Sequence, residues 1–172
     1  DLGPDARITA EGNAAHYLLS VMRVKEGDAV LLFNGRDGEW AARAVDIRKR
    51  DLMLVCAGQT KPLEAVPDLW LCAAPVKKGR IDMIVEKACE LGVARLQPVL
   101  TRRAVVDRLN LDRLNAHIIE AAEQCGRTSL TQLADMTKLD ALLREWPADR
   151  HLFFADETGG APMRDAFALN IG

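Results

Sequence analysis

With 172 residues and 49% apolar side chains, the chain has enough material for one ordinary domain or two small ones around a real core, which excludes a disordered or fibrous protein. Lysine and arginine number 23 against 25 aspartates and glutamates, so bulk charge does not mark a nucleic-acid binder; the basic excess is local, 10 against 7 between residues 77 and 127. No apolar run approaches the ~20 residues that span a bilayer and no basic-then-apolar leader opens the chain, so it reads as soluble and cytoplasmic, with no membrane partner.

In chain order, residues 7–9 form a short predicted strand, and Asn13 is placed to cap a helix running to about Arg23. The runs 29–33 and 39–47 flank Asn34-Gly35-Arg36-Asp37-Gly38, whose Asn-Gly and Asp-Gly pairs predict a hairpin. A third run, 52–57, follows a polar turn. One helix and several short strands within some 60 residues predict a small barrel-like β domain, and the two prolines between Lys61 and Asp68 mark a linker. The domains are therefore expected to be 1–67 and 68–172.

Beyond the linker the pattern changes to strands alternating with helices. Leu69 to Ala74 and Val93 to Leu100 read as buried strands around the helix Lys77 to Gly92. Its stripe is Ile81, Ile84, Val85, Ala88 and Leu91, and Gly92 turns the chain out of it. A strand, a crossover helix and a strand make the unit of a parallel sheet. A second helix is expected over residues 111–125, between an Asn110 cap and a Gly126 stop. Thr131 to Leu133 is a weak strand, Thr137 to Asp140 a capping box opening a short helix, His151 to Ala155 a buried strand, and Ala166 to Ile171 one more strand. The class is α/β behind a mostly β front.

Ligands of open parallel sheets collect at the carboxyl ends of the strands, which nominates Lys77 to Arg80, Thr101 to Arg103 and Asp156 to Gly160. Paired guanidinium groups such as Arg102 and Arg103 suit phosphate through forked hydrogen bonds. The three histidines and four cysteines show no metal-binding spacing, the cysteines read as buried free thiols, and GxSxG, HExxH, Walker and GxGxxG motifs are absent. The commonest hydrolase, metalloprotease, nucleotidase and dinucleotide-enzyme classes are thereby disfavoured.

The motif series carries a resemblance. His16-Tyr-Leu-Leu-Ser-Val-Met-Arg23-Val-Lys-Glu-Gly27-Asp28, Phe33-Asn34-Gly35, Lys78-Gly-Arg80, Glu86-Lys87-Ala-Cys-Glu90-Leu91-Gly92-Val93, Gln97-Pro98, Arg103-Ala-Val-Val and Glu120-Ala-Ala-Glu123-Gln124-Cys-Gly126-Arg127 occur in order. Together they resemble the ribosomal RNA small subunit methyltransferase E family. The resemblance implies a PUA-like RNA-binding β-barrel followed by a SPOUT parallel-sheet domain with a trefoil knot, and a homodimer. It also implies methyl transfer from S-adenosylmethionine to N3 of a uridine in 16S ribosomal RNA of the 30S subunit. It makes Arg103 the catalytic candidate, stabilising the uridine anion, with Arg23, Lys25, Lys78, Arg80, Arg102, Gln124 and Arg127 toward RNA.

Asp156, Glu157, Ile171 and Gly172 are the candidates for the cofactor, with no metal. The chain does not begin with Met, and it ends on Ile171-Gly172, the first two residues of the family's Ile-Gly-Pro-Glu-Gly-Gly cofactor loop. It is therefore expected to be truncated before the knot and to lack most of the cofactor pocket. A non-catalytic RNA-binding module is the alternative.

Overall fold

The structure, a computed structural model, describes residues 1–77, 79–156 and 158–170. The expected segments around Lys78, Glu157, Ile171 and Gly172 lie in part outside the described residues.

The front unit consists of β1 (Arg7–Ala10), α1 (Gly12–His16), β2 (Ala29–Phe33), β3 (Glu39–Ile47) and β4 (Leu52–Lys61). Its sheet is antiparallel in the order β1-β4-β3-β2, and β1 and β2 are its two edges, so no closed barrel forms among the described residues. The hairpin turn is built as predicted: Asn34 Oδ1 accepts from the backbone N–H groups of Arg36 (3.0 Å) and Asp37 (2.9 Å). Ala42, Ala44, Leu52, Leu54 and Cys56 are buried under α1, where they meet Ala15.

Asn13 does not cap α1. The helix starts two residues earlier than an Asn13 cap implies, at Gly12, with Glu11 in the cap position and no side-chain cap bond. Nor does α1 run on as an α-helix, because Tyr17–Val21 widens into a π-helical turn in which Met22 N–H donates to Tyr17 O (3.0 Å). Arg23 then adopts φ +55°, a left-handed conformation unusual for a side chain of its size.

The second unit contains β5 (Trp70–Ala73), α2 (Arg80–Glu90), β6 (Arg95–Leu100), α3 (Leu111–Cys125), β7 (Gln132–Leu133), β8 (Thr137–Lys138), α4 (Leu139–Arg144) and α5 (Met163–Asn170). β5 and β6 are parallel with Trp70 opposite Arg95 and Ala73 opposite Pro98, and α2 is the crossover between them. β6 pairs on its other side with β7 through Leu96 and with β8 through Val99 and Leu100, all parallel.

The interruption between β7 and β8 accommodates Pro98, which has no N–H to give to a partner strand. Buried Gln97 closes the gap instead: its Nε2 donates to Asp135 O (2.7 Å) and Pro98 O (3.1 Å), and its Oε1 accepts from Arg95 Nη2 (2.8 Å). Every polar atom of that side chain is thus partnered, as burial requires.

Ile81, Val85 and Cys89 of α2 pack against Leu114, Ile118, Ala121 and Ala122 of α3 and Leu96 of β6. The predicted α2 stripe is correct except at its end. Leu91 is 78% exposed, because the chain has already left the helix there and Cys89 occupies the core position instead. Gly92 takes φ +75° as expected, Asn110 Oδ1 caps α3 by accepting from Arg113 N–H (3.0 Å), and Gly126 ends it at φ +69°. Cys125 is exposed rather than buried, and all four cysteines are free thiols.

Three predictions nearer the C-terminus are corrected. Thr137 is a strand residue of β8 and makes no capping bond; the helix it was expected to open follows Lys138 in the cap position. His151 to Ala155 is not a strand: an apolar run becomes one only against a free strand edge, and it pairs with none among the described residues, leaving Phe154 77% exposed. The run from Ala166 forms α5 instead of a strand. Pro162 precedes α5, Asp165 lies in its first turn, its residues are mostly good helix formers, and Phe167 stacks on Phe153 at 4.3 Å. Residue 171, where that strand was expected to end, lies outside the described residues.

A strap fixes the opposite end of the sheet. Arg95 and Arg150 place their guanidinium carbons 4.4 and 4.1 Å from the Trp70 ring centre, Trp146 meets the same ring edge-on, and Arg150 pairs with Asp68. No helix among the described residues is long and apolar enough to cross a membrane.

The burial pattern sets a direct contrast. Leu114→Ala removes a side chain of 0% exposure and is expected to cost about 3 kcal/mol in chemical denaturation. Leu91→Ala, in the predicted stripe but at the surface, should stay within about 0.5 kcal/mol of the parent.

Candidate functional site

Parallel strands joined by a crossover give the second unit two unlike edges. At the carboxyl edge, β5 leads into the turn before α2, and β6 leads into Thr101–Arg103. There Ala104 N–H donates to Thr101 O (3.1 Å), closing a turn whose two central residues are Arg102 and Arg103. Both side chains are exposed and make no ion pair among the described residues, and Arg80, at the first position of α2, is exposed in the same way. Of the residues nominated by the strand-end rule, Arg80, Arg102 and Arg103 are thus exposed cations that follow β5 and β6; Lys78 lies outside the described residues.

What holds that edge was not legible from any motif. Asp82, in the first turn of α2, accepts from Gly79 N–H through Oδ2 (3.3 Å) and from Arg113 Nη1 of α3 through Oδ1 (2.5 Å). His117 Nε2 lies 3.4 Å from the same Arg113 nitrogen, and its Nδ1 lies 3.6 Å from Glu120. His117 is half-buried against this group rather than free on the helix surface. Burial pushes the Asp82 carboxyl up. The Arg113 hydrogen bond and charge, with the Gly79 N–H, outweigh it and hold Asp82 below the ordinary carboxylate value. The only sequence signal was that Asp82 and Arg113 each begin a helix beside the same strand ends.

The remaining nominated residues lie on other segments. Arg23 and Lys25 are exposed on the front unit, at the exit of the π-helical turn. Gln124 and Arg127 lie at the far end of α3. Arg127 Nη1 donates to Glu90 O at the end of α2 (3.2 Å), whereas Arg80 begins α2. Ten residue steps at 1.5 Å put the two ends of α2 ~15 Å apart. Asp156 is exposed, and its Oδ1 accepts from Thr158 N–H (2.9 Å) and Thr158 Oγ1 (2.7 Å), which hold the carboxyl low; Glu157, Ile171 and Gly172 lie outside the described residues.

Two of the molecule's depressions stand out. One, of about 690 Å³, is lined by Arg108 to Asp112 at the start of α3. The other, of about 470 Å³, lies between Lys61, Pro62 and Glu64 of the linker and Glu90, Cys125 and Arg127. Among the described residues no group of histidine, cysteine, aspartate and glutamate is placed to hold a metal.

An antiparallel front sheet joined to a parallel α/β unit, with exposed arginines in the segments that follow β5 and β6, defines the class: a two-part α/β protein with a mixed sheet architecture. Known proteins narrow it. Residues 63–171 match the RNA methyltransferase domain and residues 10–54 match the RNA methyltransferase PUA domain. The chain belongs to this RNA methyltransferase family.

Among curated relatives, the ribosomal RNA small subunit methyltransferase E of Rickettsia conorii is 34% identical over 118 residues, 69% of this chain and 48% of the relative. That of Synechocystis is 29% identical over 132 residues, 76% of this chain and 43% of the relative. The chain thus spans about half the length of the curated relatives it matches. Among solved structures, a Legionella pneumophila methyltransferase with bound S-adenosylmethionine superposes with a TM-score of 0.76 at 28% identity, covering 88% of this chain and 65% of that one. The Neisseria gonorrhoeae ribosomal RNA small subunit methyltransferase E has the same fold, with a TM-score of 0.75 at 24% identity over 86% of this chain and 64% of that one.

The lowered carboxyl of Asp82 fixes the sign of a pH effect. Its contribution to stability is present above the unfolded-state value, near 3.8, and is lost as pH falls through the lower folded-state value. Asp82→Asn should therefore cost about 1–2 kcal/mol near neutral pH. The deficit against the parent should shrink on acidification below that ordinary value, as followed by urea titrations at a series of pH values.

Proposed function

We propose that the whole protein transfers a methyl group from S-adenosylmethionine to N3 of a uridine in 16S ribosomal RNA within the 30S subunit. The observation that carries this reading is the match of residues 63–171 to the RNA methyltransferase domain. The names of the curated relatives and the bound S-adenosylmethionine of the Legionella relative support the ribosomal substrate and the cofactor. In this reading, residues 1–67 are a PUA-like unit that grips RNA through its open sheet, and residues 68–172 belong to a SPOUT domain with a trefoil knot. The active form is a homodimer.

The described residues do not by themselves fit the cofactor. Of the four nominated, only Asp156 is described, and its one engaged oxygen is committed to Thr158 at the surface rather than to a cradle. No step is therefore derived through the cofactor. S-adenosylmethionine supplies an electrophilic methyl group, which leaves the chain's own residues to align the base and to favour loss of the N3 proton.

Arg103 suits the loss of that proton, because its exposed guanidinium, without an ion-pair partner among the described residues, can face the uridine anion at the strand end. Arg102 and Arg80 at the same edge, together with Lys78, hold phosphates and orient the strand. Arg23 and Lys25 do the same from the front unit without reading sequence. The match of residues 10–54 to the RNA methyltransferase PUA domain also allows a second reading, a non-catalytic RNA-binding module, which predicts RNA affinity without cofactor affinity.

Full-length protein incubated with 30S subunits lacking the modification and with labelled S-adenosylmethionine should place label on a uridine N3 of 16S RNA. An unlabelled RNA would overturn the assignment, and calorimetry showing no S-adenosylmethionine binding would favour the module. Arg103→Ala should lower kcat about 100-fold with little change in KM. Unchanged turnover would remove Arg103 from the chemistry.

A further inference from the structure

Arg127 stands apart from the other nominated cations because its guanidinium is already engaged inside the protein. Its side chain is only 17% exposed. Nη2 pairs with Glu64 Oε1 at 3.0 Å, Nη1 donates to Glu90 O at 3.2 Å, and Nε is buried without a partner. Glu90 O is one of the orphan carbonyls at the C-terminal end of α2, where a cation is favoured by both hydrogen bonding and the helix dipole.

The guanidinium lies directly over Gly92. A Cβ built at residue 92 would meet Nη2 at 2.6 Å, so any side chain there would displace the guanidinium from its present place, and the φ of +75° separately favours glycine.

Glu64 belongs to the linker, and the segments on either side of this pair are tied across the same seam. Glu64 N–H donates to Thr128 Oγ1 (2.8 Å), and Thr128 Oγ1 in turn donates to Pro62 O (3.0 Å). Ser129 Oγ donates to the second Glu64 oxygen (3.4 Å). Lys61, the last residue of β4, reaches Gly126 O (3.3 Å) while pairing with Glu39 of β3 (3.5 Å). Phe33 of β2 packs against the core of the second unit, and Leu130 crowds Gly35 in the front hairpin, 3.0 Å from where a Cβ would stand.

The linker is thus a clamped strut, not a free hinge. Its central charge pair sits at the opposite end of α2 from Arg80.

We infer that Arg127 is a positioning residue: through Glu64 and the end of α2 it fixes the front sheet at one orientation relative to the parallel sheet, and it does not contact RNA. The consequence for function rests on the methyltransferase reading, since the orientation sets the angle between Arg23 and Lys25 on one unit and Arg80, Arg102 and Arg103 on the other. The structural part of the inference stands apart from that reading and is tested separately.

The two roles predict opposite signs for the partner residue. If Arg127 positions, Glu64→Gln and Arg127→Gln both loosen the strut. Hydrogen exchange of residues 62–69 in the full-length protein should accelerate about tenfold in either variant, while β3 and α3 stay protected. Binding to 16S ribosomal RNA should weaken in both variants with an unchanged salt slope. The reversed pair, Glu64→Arg with Arg127→Glu, should recover part of the protection.

If Arg127 contacted phosphate, Glu64→Gln would release it and strengthen binding, and Arg127→Gln would reduce the salt slope by about one. Either result, or unchanged exchange in both variants, overturns the inference. Accelerated exchange in both variants, with a parent protein that binds no RNA, would uphold the strut and refute the RNA reading alone.

Discussion

The parallel pairing of β5 with β6 is the constraint on which the rest of the second unit depends. Two adjacent strands can run the same way only if the chain returns across the sheet between them, and α2 makes that return. The helix therefore starts at the carboxyl edge and finishes at the amino edge. Each residue near α2 is assigned to one edge or the other by its place along the helix: Asp82 and Arg113 at the start, Glu90 and Arg127 at the end. The core of Ile81, Val85, Leu114 and Ile118 keeps the two helices side by side, so the assignment is rigid.

The edges use the same side-chain chemistry for different purposes. At the carboxyl edge Arg102 and Arg103 are left without ion-pair partners among the described residues, whereas Arg95, Arg127 and Arg150 at the amino edge are engaged with a tryptophan face, a linker carboxylate and backbone carbonyls. A near-neutral chain thereby keeps some of its arginines inside the fold and leaves others facing solvent. Composition alone does not reveal this, because it cannot separate cations engaged inside the protein from those facing solvent.

Much of the architecture was legible because it rests on local periodicity and turn chemistry. The Asn34 hairpin, the Asn110 cap, the Gly92 and Gly126 stops and the α2–α3 core were all visible in the sequence. The strand expected at His151 and the one expected from Ala166 failed for a common reason. A short apolar run does not reveal whether a partner edge is available, and residues such as Ala166 and Phe167 serve a helix equally well. Of the candidate site, the strand-end rule located Arg80, Arg102 and Arg103. The Asp82–Arg113 and Glu64–Arg127 pairs join residues 31 and 63 positions apart, which no local pattern connects. The motif around Arg127 was visible, but its environment was not, since Gly92 and Glu64 become its neighbours only in the folded chain.

The pairing of β1 with β4 brings residues 7–10 against 52–55, so all strands of the front sheet are synthesised before β5. Glu64, by contrast, must wait for Arg127 to be synthesised. During translation the front unit can assemble first, with its linker carboxylate hydrated and unpaired. The relative placement of the two units is thus settled late, only after α3 has been completed and has delivered the guanidinium to the linker.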